Sequence, residues 1–515
     1  MRKNWFLILV IFLSQRLFGA GLGTGGYYEL EYNWRQNYSD TFDWNLSRPK
    51  HYFQTKFWGN PFYGVDFYSQ IAARTNENEN NKNRLELERF WAKYWFKWGE
   101  LYYLLKEERH WIDSPLLRLV DPGRASDNYQ GQASRLNLFW SGGELNLLYR
   151  QARPHYHTVW SDGEWYGSFY DTFGDGLIFN FKQYIYDNQK SNIQLSTNLG
   201  WLSSQQQVSK FSEQYSPLVL AQRQRLNEVY RTDCRLNTLQ FNWISEYALS
   251  RTDSADLFPA WASELRDFHL GPFWFLVRYY DYHRNFRSDL SRNFGWQIGD
   301  WGEKQFGRRG YNSQISYLLP KKMITLTYQH NYYASEIKSV NADTNWRGDY
   351  LVEISSQPQV YNYDYGEVYL EFLKGLKGKI AAENNQTPDG NFPAALLEVS
   401  AENFSTFGRG QLRYKDINSR QGLGERIIVG AELRYNLTSR LQFYWRTVMV
   451  NSRLLERVWS ASFYQLRFNI GWDVESYLEY GDGWLTDNLV YDSDITDNII
   501  SSTAAIKFLL KVNFY

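Results

Sequence analysis

The sequence predicts an all-β fold, a transmembrane antiparallel up-and-down β-barrel with an even number of strands, about 18 to 24, and no separate plug domain. Three observations predict it. Apolar and polar residues alternate with a period of two along most of the chain. After the first twenty residues no apolar run reaches the roughly 18 residues a helical span requires. Aromatic residues make up 19% of the 515-residue chain although its mean hydropathy is −0.58. A barrel wall needs apolar side chains only at alternate positions and gathers aromatics at both membrane interfaces, which reconciles the two figures.

The first element is not a strand. Arg2 and Lys3 precede the apolar run from Trp5 to Leu13, and the small residues Gly19, Ala20 and Gly21 follow it. This has the shape of a secretory signal peptide, and the run is too short to cross a bilayer. Residues 1–20 are therefore expected to be a cleaved signal peptide and residues 21–515 a single barrel domain.

Strands are expected to begin at once. Tyr28, Leu30, Tyr32 and Trp34 share one face, with Glu29, Glu31, Asn33 and Arg35 on the other. Leu136, Leu138 and Trp140 lead through Gly142 and Gly143 into Leu145, Leu147 and Tyr149, a hairpin. Late in the chain Ile427, Val429, Leu433 and Tyr435 oppose Glu432 and Arg434, while Leu441, Phe443 and Trp445 oppose Gln442 and Arg446. Short turns are expected near Gly142, Gly176, Pro320, Gly375 and Leu437, and longer polar connections include Glu107 to Gln132, Ser203 to Leu226 and Arg284 to Asn312. Between Met323 and Phe372 the strand count comes out odd.

The chain closes on Ile506, Phe508, Leu510, Val512 and Phe514, alternating with Lys507, Leu509, Lys511 and Asn513, and ends at Tyr515. A terminal amphipathic strand ending in aromatics resembles the signal by which bacterial outer-membrane β-barrels are recognised for assembly. With residues 1–20 and the alternating strands, the whole chain resembles outer-membrane β-barrel proteins of porin type. That resemblance implies an outer-membrane location in a Gram-negative-type bacterium. It also implies contact with outer-membrane lipid, and engagement of the barrel-assembly machinery through Ile506, Phe508, Leu510, Val512, Phe514 and Tyr515. The function it implies is passive diffusion of small hydrophilic solutes, to which the cations and aromatics of the stretch Arg284 to Tyr311 add a preference for anionic or sugar-like ones; an outer-membrane enzyme acting on lipid or peptide and a surface binding or adhesion barrel are the rival readings.

Composition narrows the chemistry. Lysine plus arginine equals aspartate plus glutamate at 56 each, so no nucleic-acid partner is implied. The single cysteine, Cys234, excludes an intrachain disulfide and a cysteine-ligated metal cluster. No nucleophile elbow, P-loop or zincin motif occurs, so no enzymatic activity, cofactor or metal is expected. His155 and His157 share a strand face but lack a third ligand at a recognised spacing.

The charged faces nominate a pore lining of Glu29, Glu31, Arg35, Arg135, Asn137, Glu367, Glu371, Glu432, Arg434, Gln442, Arg446, Gln465 and Arg467. The loop from Arg284 to Tyr311 interleaves cations with aromatics, and nominates Arg284, Arg287, Arg292, Trp296, Trp301, Lys304, Arg308 and Arg309 as a constriction. A second loop, Asp113 to Arg124, holds two prolines and the apolar group Leu116, Leu117, Leu119 and Val120. It reads equally as a partial plug folded into the lumen and as packing over the rim.

Overall fold

The computed structural model describes residues 22–36, 44–46, 50–75, 83–105, 114–120, 132–151, 157–161, 164–168, 175–188, 192–211, 219–253, 256–288, 307–319, 324–344, 350–388, 390–416, 425–452, 457–471, 473–481 and 505–515. The expected signal peptide lies outside them. All regular structure among them is β: β1 (Leu22–Gln36), β2 (Trp44–Leu46), β3 (Lys50–Phe62), β4 (Val65–Thr75), β5 (Asn83–Phe96), β6 (Gly99–Leu105), β7 (Gln132–Trp140), β8 (Gly143–Gln151) and β9 (His157–Ser161). There follow β10 (Glu164–Ser168), β11 (Asp175–Asn188), β12 (Ile193–Phe211), β13 (Val219–Asn237), β14 (Asn242–Thr252), β15 (Phe258–Leu270), β16 (Phe273–Tyr282), β17 (Arg308–Leu318) and β18 (Ile324–Thr344). The last are β19 (Tyr350–Leu373), β20 (Leu376–Thr387), β21 (Gly390–Glu402), β22 (Thr406–Asp416), β23 (Glu425–Asn436), β24 (Leu441–Ser452), β25 (Arg457–Asn469), β26 (Val474–Gly481) and β27 (Ala505–Phe514).

Leaving out β2, β9 and β10, the remaining 24 strands each pair antiparallel with their neighbours in the chain, and β27 pairs with β1 from Gly26↔Phe514 to Arg35↔Ala505. That ladder closes the barrel and leaves no open edge, as a lipid-embedded sheet requires. The strand count is thus an even 24, and β18 and β19, 21 and 24 residues long, account for the stretch that read as odd. β2 pairs only with the upper part of β1, and the β9–β10 hairpin extends the far end of β12.

The connections are asymmetric. Tight turns such as Tyr63–Gly64 and Gly271–Pro272 lie at the end where β1 starts and β27 finishes. The longer connections, including those after β6, β16 and β26, all lie at the opposite end. Short periplasmic turns and long outer loops are the pattern of this architecture. Two local expectations are corrected. Gly176 is no turn but the start of β11, paired with Ser204 and Arg150. Most of Ser203 to Leu226 is strand, because β12 and β13 continue their ladder from Ser203↔Glu228 to Phe211↔Val219. Their sequence there is mostly polar, with only scattered apolar residues, and carries no sustained amphipathic signal.

Side chains alternate between lipid and lumen. On β24, Arg446, Val448 and Val450 are at most 1% exposed, whereas Met449 between the last two is 43% exposed. On β21 Leu396 is buried and Leu397 and Val399 are exposed. The outward rows are predominantly apolar and the inward rows predominantly polar, the inverse of a soluble sandwich. The expected fold class is corrected in one respect that the strand number governs. Open aqueous channels belong to barrels of 16–18 strands, while 22-stranded transporters have a plugged lumen, so 24 strands argue against a barrel left without a plug.

Candidate functional site

Part of the lumen is filled by the chain itself. Residues Ser114–Val120, from the connection between β6 and β7, lie inside the barrel, and Leu116, Leu117, Leu119 and Val120 are buried against inward-facing Leu202, Val229, Ile244 and Ala248. Burying four such side chains contributes roughly 6–12 kcal/mol, and ordering seven backbone residues costs about 7–14 kcal/mol. With those nearly balanced, the polar anchor decides whether the segment stays in.

That anchor is Glu246 on β14, which is fully buried. Its Oε1 accepts from Ser114 Oγ at 2.6 Å, and its Oε2 accepts from the backbone N–H groups of Leu116 at 3.0 Å and Leu117 at 2.9 Å. Ser114 Oγ also accepts from Leu119 N at 3.2 Å, and Ser114 O from Arg118 N at 3.1 Å, which rolls the segment into a turn. Pro115 sits where the turn begins, so its missing N–H leaves no orphan donor. Arg231 on β13 approaches Glu246 at 3.4 Å and also pairs with Asp233. Asp233 accepts from Asn198 at 2.6 Å and Arg235 at 2.8 Å, so the buried charges form a connected network.

A second connection joins it. Phe286, between β16 and β17, is buried in the same apolar cluster, and Ser288 Oγ donates to Leu119 O at 2.6 Å. Arg287 N donates to Ser250 Oγ at 2.9 Å. The apolar cluster therefore covers the inner side of β12–β16 with chain from two loops.

The opposite wall, from β19 round to β1, is largely polar and internally paired, apart from a buried apolar group of Ile428, Val448, Val450, Ala461 and Phe463. Lys379 meets Glu367 at 2.6 Å, and Arg413 meets Glu383 at 2.9 Å. Glu432 lies 2.9 Å from Arg409 and 3.3 Å from Arg446. Arg467 meets Glu475 at 2.8 Å, Gln465 donates to Glu479 at 2.7 Å, and Lys507 reaches Glu31 at 3.1 Å. Tyrosines are set between them: Tyr363 donates to Glu383 at 3.0 Å, and Lys511 stands 4.3 Å above the Tyr27 ring. Opposite charges on adjacent strands largely cancel, leaving a hydrated wall of small net field.

Of the residues nominated as pore lining, Glu31, Glu367, Glu432, Arg446, Gln465 and Arg467 belong to these inner contacts. Glu29, opposite Lys511, and Glu371, opposite Lys377, share the inner face of their strands. Arg434 pairs with Glu402 at 3.4 Å over the Phe407 ring, and Gln442 donates to Asn436 at 2.7 Å, both near the turn end. Arg135 donates to Asn137 at 2.7 Å, and Asn137 donates to Glu100 at 2.8 Å, on the side nearer the filled lumen. For Arg35 only the backbone is described, paired with Ala505 and Asn45.

The nominated constriction divides. Arg292, Trp296, Trp301 and Lys304 lie outside the described residues. Arg284 is exposed, 4.0 Å from Glu336, and Arg287 is tied to the wall by its backbone. Arg308 and Arg309 are corrected from loop to strand: Arg308 turns inward over Tyr333 at 4.9 Å, while Arg309 points outward and pairs with Asp281 at 2.7 Å. Adjacent residues of a strand point to opposite faces, so both cannot serve one constriction. Sequence reasoning missed Glu246, Arg231 and Asp233. The available signal was a carboxylate between Ile244 and Ala248, on an inner face otherwise small or apolar.

The closed ladder, the apolar outer rows and the polar lumen define an outer-membrane β-barrel of 24 strands. No protein-family model matches the sequence, and no curated protein matches it. Among solved structures it is similar to the siderophore receptor PirA from Pseudomonas aeruginosa, at 9% identity over 96% of this chain and 80% of that one, with a TM-score of 0.48. PirA from Acinetobacter baumannii gives 8% identity over 95% and 80%, with a TM-score of 0.48, and the copper transporter OprC gives 8% over 96% and 81%, with a TM-score of 0.46. By name they are two siderophore receptors and a copper transporter, and the likeness is one of fold alone. The expectation of a barrel with no separate plug domain is corrected within the lumen itself, part of which Ser114–Val120 and Phe286 fill.

Proposed function

We propose that the barrel passes small hydrophilic solutes across the outer membrane by diffusion, along the polar wall between β19 and β1 that faces the in-folded segment. The observation that carries this reading is the contrast between the two halves of the lumen. The larger apolar cluster fills one side, and the other, around a smaller apolar group on β23–β25, is lined by paired charges and tyrosines that a hydrated solute can exchange hydrogen bonds with. Because the wall charges are paired in place, the reading favours weak ion preference over strong selectivity. Export by a cleaved signal peptide at residues 1–20 and recognition of β27 by the assembly machinery complete the proposal. Liposome swelling with the refolded full chain tests it: sugars of small size should enter and large ones should not, and exclusion of all of them would refute it.

A second reading is favoured by the Glu246 anchor. A segment held by a buried carboxylate closes the lumen until something displaces it, which makes the barrel a gated transporter. Quiet bilayers with wild-type protein, becoming conductive only when the anchor is removed, would support that reading over free diffusion.

A further inference from the structure

The in-folded segment presents one side chain to water. Leu116, Leu117, Leu119 and Val120 are buried, and Arg118 between them is exposed. Its backbone adopts φ of 49°, in the left-handed region that a residue with a Cβ rarely occupies. The turn is held on both sides, with Leu117 N bonded to Glu246 and Leu119 N to Ser114 Oγ. The two leucines that flank Arg118 sink into the cluster on the inner wall, so a side chain directed away from that wall enters the lumen. Among the described residues the guanidinium has no ion pair, whereas Arg409, Arg413, Arg446 and Arg467 across the lumen all meet carboxylates.

We propose that Arg118 is the solute-binding residue of the lumen, and that the solutes it takes are small carboxylates. This rests on the lumen being the solute path. A guanidinium offers forked donors that match a carboxylate, and it stays charged at any accessible pH. The strained backbone then has a purpose, since it aims the charge at passing solute while the leucines on either side hold its base still. The tyrosines and paired charges opposite supply hydrogen bonds to the rest of the solute without competing for the cation.

The test uses the refolded full chain in detergent, with potassium succinate as probe and binding followed by calorimetry. Wild type should bind succinate, and Arg118→Gln should weaken binding about tenfold or more, as loss of hydrogen bonds to a charged group predicts. Arg118→Lys should fall between, because an ammonium keeps the charge and loses the fork. Arg309→Gln, on the outer face, should bind as wild type does. In bilayers, Arg118→Gln should lower chloride-to-potassium permeability several-fold at 0.1 M salt and change little at 1 M, where the screening length is about 3 Å. Native folding of each variant is read from heat-modifiable mobility. Absence of succinate binding by wild type, or equal binding by Arg118→Gln, would overturn the proposal. Arg118-dependent binding by a protein that passes no current would leave it standing and refute the diffusion channel instead.

Discussion

Ser114 and Glu246 are 132 positions apart in the chain, and their side chains meet at 2.6 Å inside the barrel. The contact joins the one described piece of the connection after β6 to the wall on the other side of the apolar cluster. Everything the segment does in the lumen depends on it.

Replacing Glu246 with Ala removes the acceptor for Ser114 Oγ and two backbone donors and leaves Arg231 with less compensation. Breaking a buried pair of this kind costs about 3–5 kcal/mol, enough to release a segment whose apolar and entropic terms nearly cancel. Glu246→Ala should therefore raise single-channel conductance and open residues 114–120 to protease in a correctly inserted barrel. Unchanged conductance together with full protection would mean the segment is held by its leucines alone.

The outward face of β27 makes a second prediction. Leu510 is paired with Leu30 and Ser476 midway along the strand, and Val512 lies nearer the turn end. Leu510→Arg should cost roughly 2–4 kcal/mol, with Val512→Arg costing less, as depth in the bilayer dictates. Lys511→Glu, on the inner face, should be tolerated better than either. Folding into lipid vesicles during urea titration ranks the three, and equal midpoints would contradict the assignment of faces.

Gly26 sits in the seam where β1 meets both β3 and β27. A Cβ there would collide with the Gln54 carbonyl oxygen and lie 2.6 Å from the Phe514 ring, which stacks on Phe53 at 5.6 Å. Gly26→Val should block closure, seen as loss of the heat-modifiable form, whereas Gly366→Ala, where a Cβ meets nothing, should assemble as wild type does.

Glu432 stands between Arg409 and Arg446. Glu432→Gln removes the carboxylate that faces both cations, and reversal potential in a salt gradient should move toward anion preference. If the potential does not move, the solute path lies away from this wall.

The period-two pattern was legible wherever a strand has one apolar face, as at Ile427 to Tyr435 and Ile506 to Phe514, because alternation is local and needs no partner. It failed where strands leave the bilayer. Gln205 to Lys210 are polar but for Val208 and read as loop, although they pair with Leu226 to Ala221. Arg308 and Arg309 read as one basic pair, and the onset of a strand between loop and wall sends them to opposite faces. The apolar group Leu116 to Val120 announced something to bury but not where, since the answer lay on β12–β14. Glu246 was missed for the same reason: its place between Ile244 and Ala248 marks a carboxylate on a small and apolar face, but the partner that makes it an anchor is tertiary.

The seam between β1 and β27 sets an order on manufacture. Its ladder links Gly26 to Phe514 and Arg35 to Ala505, so none of those hydrogen bonds exists until the final strand has been delivered. Pairings this remote form late, since chain must be looped before they return any free energy. Until then the growing sheet has two raw edges, each a template for pairing with a neighbouring molecule. The same register that seals the finished wall thus makes an interrupted molecule recognisably incomplete, and quality control can read the defect without reference to solute or function.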